Sequence, residues 1–353
     1  MDNLGLGRRK FVIFLLLFLF NFSYADIKEL KQISFYPKDI QDYYFKPIID
    51  LATLGDMVYG IENLRNSAIA FKLEYPQVKY DFLVGKPGQG PGDLQRPFSL
   101  SIWNDEIAIK ESGFFSFFRK NGEYLSKFRI FSDNPTFVYL DDKIYWLNPN
   151  LEDNYLVEIY AKDGEMISTF GDKFLKPDIH AFKNPNFINY KLYEGNMFSD
   201  GKSILYFNSR FGNYLIFSLD GKTLAEGNIS KFFRTRGEKI KKLNNDIYIK
   251  RVKDQNERIS GYPRSVIFED GYLHKDKIYF VSSTMTHKNG WETIFELRVL
   301  SIKPMNLLKE YVIKKGDPCR LDSFTVIEKN GENFILLAIT NHEKGINLEL
   351  YKE

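Results

Sequence analysis

The chain holds one cysteine, Cys319, in 353 residues. An internal disulfide is therefore excluded, and stability has to come from packing and from the way the fold closes on itself. No histidine lies near Cys319 in sequence, so it reads as a buried or inert thiol rather than a nucleophile. The four histidines, His180, His274, His287 and His342, stand far apart and show neither HxH nor HExxH spacing, which removes the local zinc signatures. No Gly-x-Ser-x-Gly elbow is present. The glycines at 85, 88, 90 and 92 lead into Asp93-Leu94, where a phosphate-cradling loop needs Lys-Ser/Thr at the head of a helix. They are expected to form a tight inter-unit connection instead.

A charge excess is missing too, once the first residues are set aside. Arg8, Arg9 and Lys10 precede an apolar run from Phe11 to Phe22, and Ser23-Tyr24-Ala25 supplies small residues before Asp26. This is the pattern of a secretory signal peptide cut after Ala25, the run being too short to span a bilayer as a typical helix. No second apolar run of spanning length follows. Of 49 Lys+Arg and 46 Asp+Glu, residues 1–25 carry three and one, which leaves 46 against 45. Nucleic-acid binding needs a concentrated positive surface, so that partner is not expected. A secreted or periplasmic location is.

Aromatics are plentiful at 16 %, with Phe 32 and Tyr 22, and favour half-buried pleated surfaces. Their arrangement repeats. Phe118-Arg-Lys-Asn121-Gly122-Glu123, Tyr160-Ala-Lys-Asp163-Gly164-Glu165 and Phe217-Ser-Leu-Asp220-Gly221-Lys222 superimpose residue for residue, each an Asn-Gly or Asp-Gly two-residue hairpin signal between antiparallel strands. A polar turn before a short apolar run recurs six times, at Gly55-Asp56, Asn104-Asp105, Asp141-Asp142, Asp200-Gly201, Lys275-Asp276 and Asn330-Gly331. Six units of four strands follow, over about 47–85, 97–131, 135–171, 193–228, 265–315 and 322–353. The last lacks a fourth strand, and residues 27–35 supply one. An all-β, six-bladed β-propeller of four-stranded antiparallel blades, closed by that N-terminal strand, is the predicted architecture, a single domain over 26–353. Residues 173–192 read as a long loop, and 229–263 as a hairpin insertion or a degenerate seventh blade, the hairpin being favoured because no Asp-Gly or Asn-Gly turn follows Ile247–Lys250 at the expected offset.

The run Gly85-Lys-Pro-Gly-Gln-Gly-Pro-Gly-Asp-Leu-Gln-Arg96-Pro97-Phe98, then Ile107-Ala-Ile and the Phe-Phe-Arg-Lys-Asn-Gly-Glu strand pair, resembles the NHL-repeat type of six-bladed β-propeller, including exported bacterial members. The resemblance implies a fold and, in general, binding of a ligand or protein. Gluconolactonase-like and paraoxonase-like propellers are similar in blade number, and they hold calcium on the axis through Glu, Asn and Asp. Glu62, Glu111, Asn148, Asn208 and Asn341 each follow a second strand here, so they are the candidate calcium ligands. Phe232-Phe-Arg234-Thr-Arg236-Gly-Glu-Lys239-Ile-Lys241-Lys242 is the strongest basic cluster, a candidate surface for an anionic glycan, a lipid headgroup or an acidic protein. The expected role is an exported binding or scaffold module, monomeric, with a protein or glycan ligand. The alternatives are a calcium-dependent hydrolase or lactonase, or a lyase, with its site at a channel mouth, and a membrane-surface partner docked through 229–263.

Overall fold

The computed structural model describes residues 28–36, 46–74, 77–130, 134–148, 150, 153–174, 192–233, 266–287, 291–341 and 345–353. Residues 1–25, most of residues 173–192 and most of residues 229–263 lie outside them. The described chain is a six-bladed β-propeller. Blade one comprises Ile48–Leu54, Met57–Glu62, Ser67–Glu74 and Gln77–Pro87, with Asp93–Leu94 added parallel to the last. Blade two comprises Pro97–Trp103, Glu106–Glu111, Phe114–Arg119 and Tyr124–Arg129. Blade three comprises Phe137–Leu140, Lys143–Leu147, Tyr155–Ala161 and Met166–Asp172. In blade four the strands are Gly195–Ser199, Ser203–Asn208, Asn213–Ser218 and Thr223–Asn228. Blade five runs through Asp270–His274, Lys277–His287, Trp291–Ser301 and Asn306–Lys315.

Blade six is built from both ends of the chain. Cys319–Lys329, Glu332–Asn341 and Gly345–Lys352 are joined by Gln32–Tyr36, antiparallel to Gly345–Lys352. The expected closing strand at 27–35 is in fact two pieces, because Lys28–Glu29 pairs parallel with Tyr311 and Val312 of blade five. Between the pieces Leu30 is buried at 8 % exposure and its N–H donates to the Val312 carbonyl at 3.0 Å. The apolar side chain anchors the N-terminal segment across two blades and divides the strand.

The two kinds of turn differ from the single kind the sequence suggested. Between first and second strands the hairpins are two-residue turns in every blade but the fourth, where Ser199 pairs with Ile204; in blade three Asp141 and Asp142 stand at φ 50° and 57°. At the Asn-Gly and Asp-Gly sites between third and fourth strands only the glycine has positive φ, and a register shift precedes each turn. Gly122 N–H donates to the Arg119 carbonyl and Arg119 N–H to the Glu123 carbonyl, closing a three-residue loop with a glycine bulge. The glycines serve packing as well. A Cβ on Gly164 would stand 2.8 Å from the Phe128 ring, and one on Gly221 would stand 2.5 Å from Phe170 Cβ. Each of these turns thus seats an aromatic from the fourth strand of the preceding blade.

Second strands are sandwiched between neighbouring blades and are buried almost throughout, as in Met57–Glu62, Glu106–Glu111 and Ser203–Asn208. Fourth strands such as Thr223–Asn228 are mostly exposed. The core is accordingly split into six apolar clusters, one at each blade junction. Aromatic pairs fill the junctions, for example Phe117 with Tyr139 at 5.3 Å between blades two and three and Phe207 with Phe280 at 5.2 Å between four and five.

Candidate functional site

The six innermost strands surround an axial cavity of about 390 Å³. Polar groups link every junction around it. Leu100 N–H donates to Asp50 Oδ2 at 2.8 Å between blades one and two, and Tyr139 N–H to Ser101 Oγ at 2.9 Å between two and three. Thr136 Oγ1 donates to the Gly195 carbonyl at 3.1 Å, and Asn196 Nδ2 to Asp270 Oδ1 at 3.1 Å. Asp270 Oδ2 accepts from Ser323 Oγ at 3.1 Å and Phe324 N–H at 3.3 Å, which joins blades five and six. Thr53 Oγ1 completes the circle on the Val326 carbonyl at 3.2 Å, and its hydroxyl also meets Tyr272 Oη at 2.6 Å, tying blade one to blade five. A first strand has a neighbouring blade on each side and no further strand inward, so short polar side chains there satisfy its free backbone groups.

Two carboxylates stand out. Asp50 lies on the first strand of blade one and Asp270 on that of blade five, each half-buried and facing the cavity. Burial, then the charge of Asp270, pushes the Asp50 carboxyl up to about 7, against the pull of hydrogen bonds from Leu100 N–H and Ser99. Burial raises Asp270 to about 6, although Gly271 N–H, Ser323, Phe324 N–H and Asn196 all favour its charged form. Neither carboxylate meets a cation among the described residues. Two further acids line the cavity and are used locally. Glu269 accepts from Ser283 N–H at 3.1 Å, and Asp322 pairs with Arg320 at 2.6 Å.

The five candidate calcium ligands occupy equivalent positions, as their spacing suggested. The register places Glu62 opposite Ile48, Glu111 opposite Pro97, Asn208 opposite Gly195 and Asn341 opposite Cys319, at the start of each innermost strand. Asn148 directly follows the second strand of blade three. None of the five lines the axial cavity. Their oxygens and amides bind their own blade. Glu62 accepts from Lys46 N–H at 2.9 Å, and Glu111 accepts from Lys127 Nζ at 3.0 Å and from Ser116. Asn208 donates to the Leu192 carbonyl at 2.7 Å and accepts from Phe211 N–H at 2.7 Å, while Asn148 holds Asp153 and Asn150. Asn341 lines a separate cavity of about 330 Å³ with Cys319, Lys315 and Glu349. Among the described residues no three of His, Cys, Asp and Glu are grouped to hold a metal.

Arg234, Arg236, Lys239, Lys241 and Lys242 lie outside the described residues. The aromatics before them face inward: Phe233 is 2 % exposed, at the end of a short 3₁₀ turn, with the Arg298 guanidinium 5.0 Å from its ring. Cys319 is buried at 6 % exposure, and burial raises its thiol pKa.

Sequence reading passed over Asp50 and Asp270. Each is a single acid in an ordinary strand pattern, Ile-Ile-Asp50-Leu and Phe-Glu-Asp270-Gly. The available signal was positional: both acids sit on first strands, which are the innermost strands of their blades.

No protein-family model and no curated protein matches the chain. Solved structures do. An exported protein from Bacteroides fragilis aligns with a TM-score of 0.54 at 11 % identity, over 93 % of this chain and 98 % of that one. A member of the duf4221 family from Bacteroides vulgatus gives 0.51 at 12 %, over 92 % and 97 %. The WD40 domain of Neurospora crassa Pan2 gives 0.50 at 10 %, over 93 % and 96 %. The likeness is one of fold, that of a β-propeller. No helix among the described residues is long and apolar enough to cross a membrane.

Proposed function

We propose that this chain is an exported, NHL-like propeller of the binding or scaffold type, with the axial cavity as its ligand site. One observation carries the reading: side chains from all six blades line a single cavity whose walls are cross-linked by polar contacts at every junction. A ligand there meets a preorganised surface and loses little energy to rearranging the protein. Residues 1–25 and the glycine-rich 85–98 connection support the exported, NHL-like part of the proposal.

Trp103 lines the cavity and supplies the test. The mature protein, residues 26–353, is titrated with small molecules of anionic, neutral and cationic classes while tryptophan emission is followed, and Trp103→Phe identifies the share of signal from the cavity among the three tryptophans. Saturable changes lost in Trp103→Phe, accompanied by a rise in melting temperature, are expected. Binding that leaves the Trp103 signal untouched would move the site elsewhere.

A further inference from the structure

Among the described residues, the charged groups around the axial cavity are all of one sign: Asp50, Glu269, Asp270 and Asp322 line it, and no described Lys, Arg or His does. This is unusual in a chain whose basic and acidic groups nearly balance. Arg320 offsets Asp322, whereas Asp50 and Asp270 are held only by neutral donors. Half-buried aromatic residues, Phe98, Trp103, Phe198 and Tyr272, are also among the lining residues. Carboxylates without a counter-ion among the described residues, in a confined cavity with aromatic residues in its lining, favour a positive charge on an apolar body. An anion would meet four acids, and a neutral ligand would leave two desolvated carboxylates uncompensated.

We infer that the axial cavity takes an organic cation, an ammonium or guanidinium head on an apolar body, with Asp50 and Asp270 as its counter-charges. The inference rests on the cavity being the ligand site. Protons compete with the cation for these two carboxylates, whose affinity for protons burial has raised, so affinity for the cation falls as the solution is acidified. Glu269, next to Asp270 in the chain, Asp322 of blade six and Tyr272 of blade five also line the cavity, whereas the Tyr139 hydroxyl is turned to Glu106 and Asp142 in the junction of blades two and three. The innermost strands of blades two and four bring no titratable group to the cavity. An ammonium group can arrive on a free small molecule or on the lysine of a partner protein, and the same carboxylates serve both.

The test uses the mature protein and three probes of one shape: benzylammonium, benzyl alcohol and benzoate, followed by Trp103 emission and calorimetry at pH 8 and pH 5.5. A short peptide with capped ends whose only charge is one central lysine forms a further arm. Benzylammonium is expected to bind at pH 8, to weaken at pH 5.5, and to lose about tenfold to hundredfold in affinity in Asp50→Asn and in Asp270→Asn. Asp50→Asn keeps the acceptor for Leu100 N–H and Asp270→Asn keeps one of its two accepting oxygens, and a melt without ligand confirms that both fold. Binding of the peptide alone, abolished by the same variants, supports the charge rule with a protein as the source. Equal binding of benzyl alcohol or benzoate at Trp103 would overturn the cation inference and leave the axial site standing. Absence of any Trp103 response across all probes and the peptide would overturn both.

Discussion

Replacing Asp50 with asparagine should stabilise this protein at neutral pH, against the usual direction for a buried polar substitution. The carboxyl ionises near 7 in the folded state against 3.8 as a free side chain. A group whose folded pKa is raised binds more protons folded than unfolded between those values, so stability declines as the pH climbs from about 4 to about 7. Over that window the decline due to Asp50 is on the order of 4 kcal/mol, and less if Asp270 protonates in its place. Asparagine resembles the protonated carboxyl in shape and keeps an acceptor for the Leu100 N–H, so the variant omits the decline. Wild type and Asp50→Asn should match near pH 4.5 and diverge to a gap of a few kcal/mol at pH 8, read by urea unfolding at half-unit steps. Other groups, such as Glu353, whose hydrogen bonds hold its carboxyl down to about 2, act on both proteins alike and cancel in the difference. Parallel curves from pH 4.5 to 8 would refute the account of Asp50 as a strained acid.

Three further outcomes are expected. Asn208→Ala removes donors to Leu192 and Tyr206 and the acceptor for the Arg210 and Phe211 N–H groups, and should cost about 2–3 kcal/mol in urea unfolding. If the residue is a local lock, the loss is the same with calcium or with chelator, whereas calcium stabilisation seen only in the wild type would support the metal role. Gly221→Ala places a methyl 2.5 Å from Phe170 at φ +90°, while Gly331→Ala has φ +77° and nothing within 4 Å, so the first should cost clearly more than the roughly 1 kcal/mol of backbone strain expected for the second. Starting the chain at residue 37 deletes the fourth strand of blade six and should yield an aggregating or strongly destabilised protein by size-exclusion and melting, and a monomer of unchanged melting temperature would contradict the closure.

The blades were legible because their turns are local chemistry. Asp163-Gly164 and Asp220-Gly221 mark the same hairpin whichever blade they occupy, and the missing fourth strand of the last unit pointed to the N-terminus. What the turns did not convey was the third dimension of packing: that Gly164 is also required by Phe128, or that Leu30 divides the closing strand. The candidate ligands illustrate the same limit. Glu62, Glu111 and Asn208 could be aligned by spacing, but their hydrogen-bond partners, Lys46 N–H, Lys127 and the Leu192 carbonyl, are connected to them by no periodicity. Asp50 and Asp270 are some 220 residues apart in sequence, and only closure of the ring brings their charges together.

The clasp in blade six also sets a timetable. Gln32 faces Tyr351, so nearly the whole chain separates two strands that must meet. Loop closure over such a span costs more than any pairing inside a blade, and the contact forms only after the final residues are available. Earlier blades can collect their hairpins one after another, but the ring of polar contacts around the axis has no last link until blade six stands between blades five and one. The cavity is therefore a product of completion: a chain interrupted before its end holds the acids without a site.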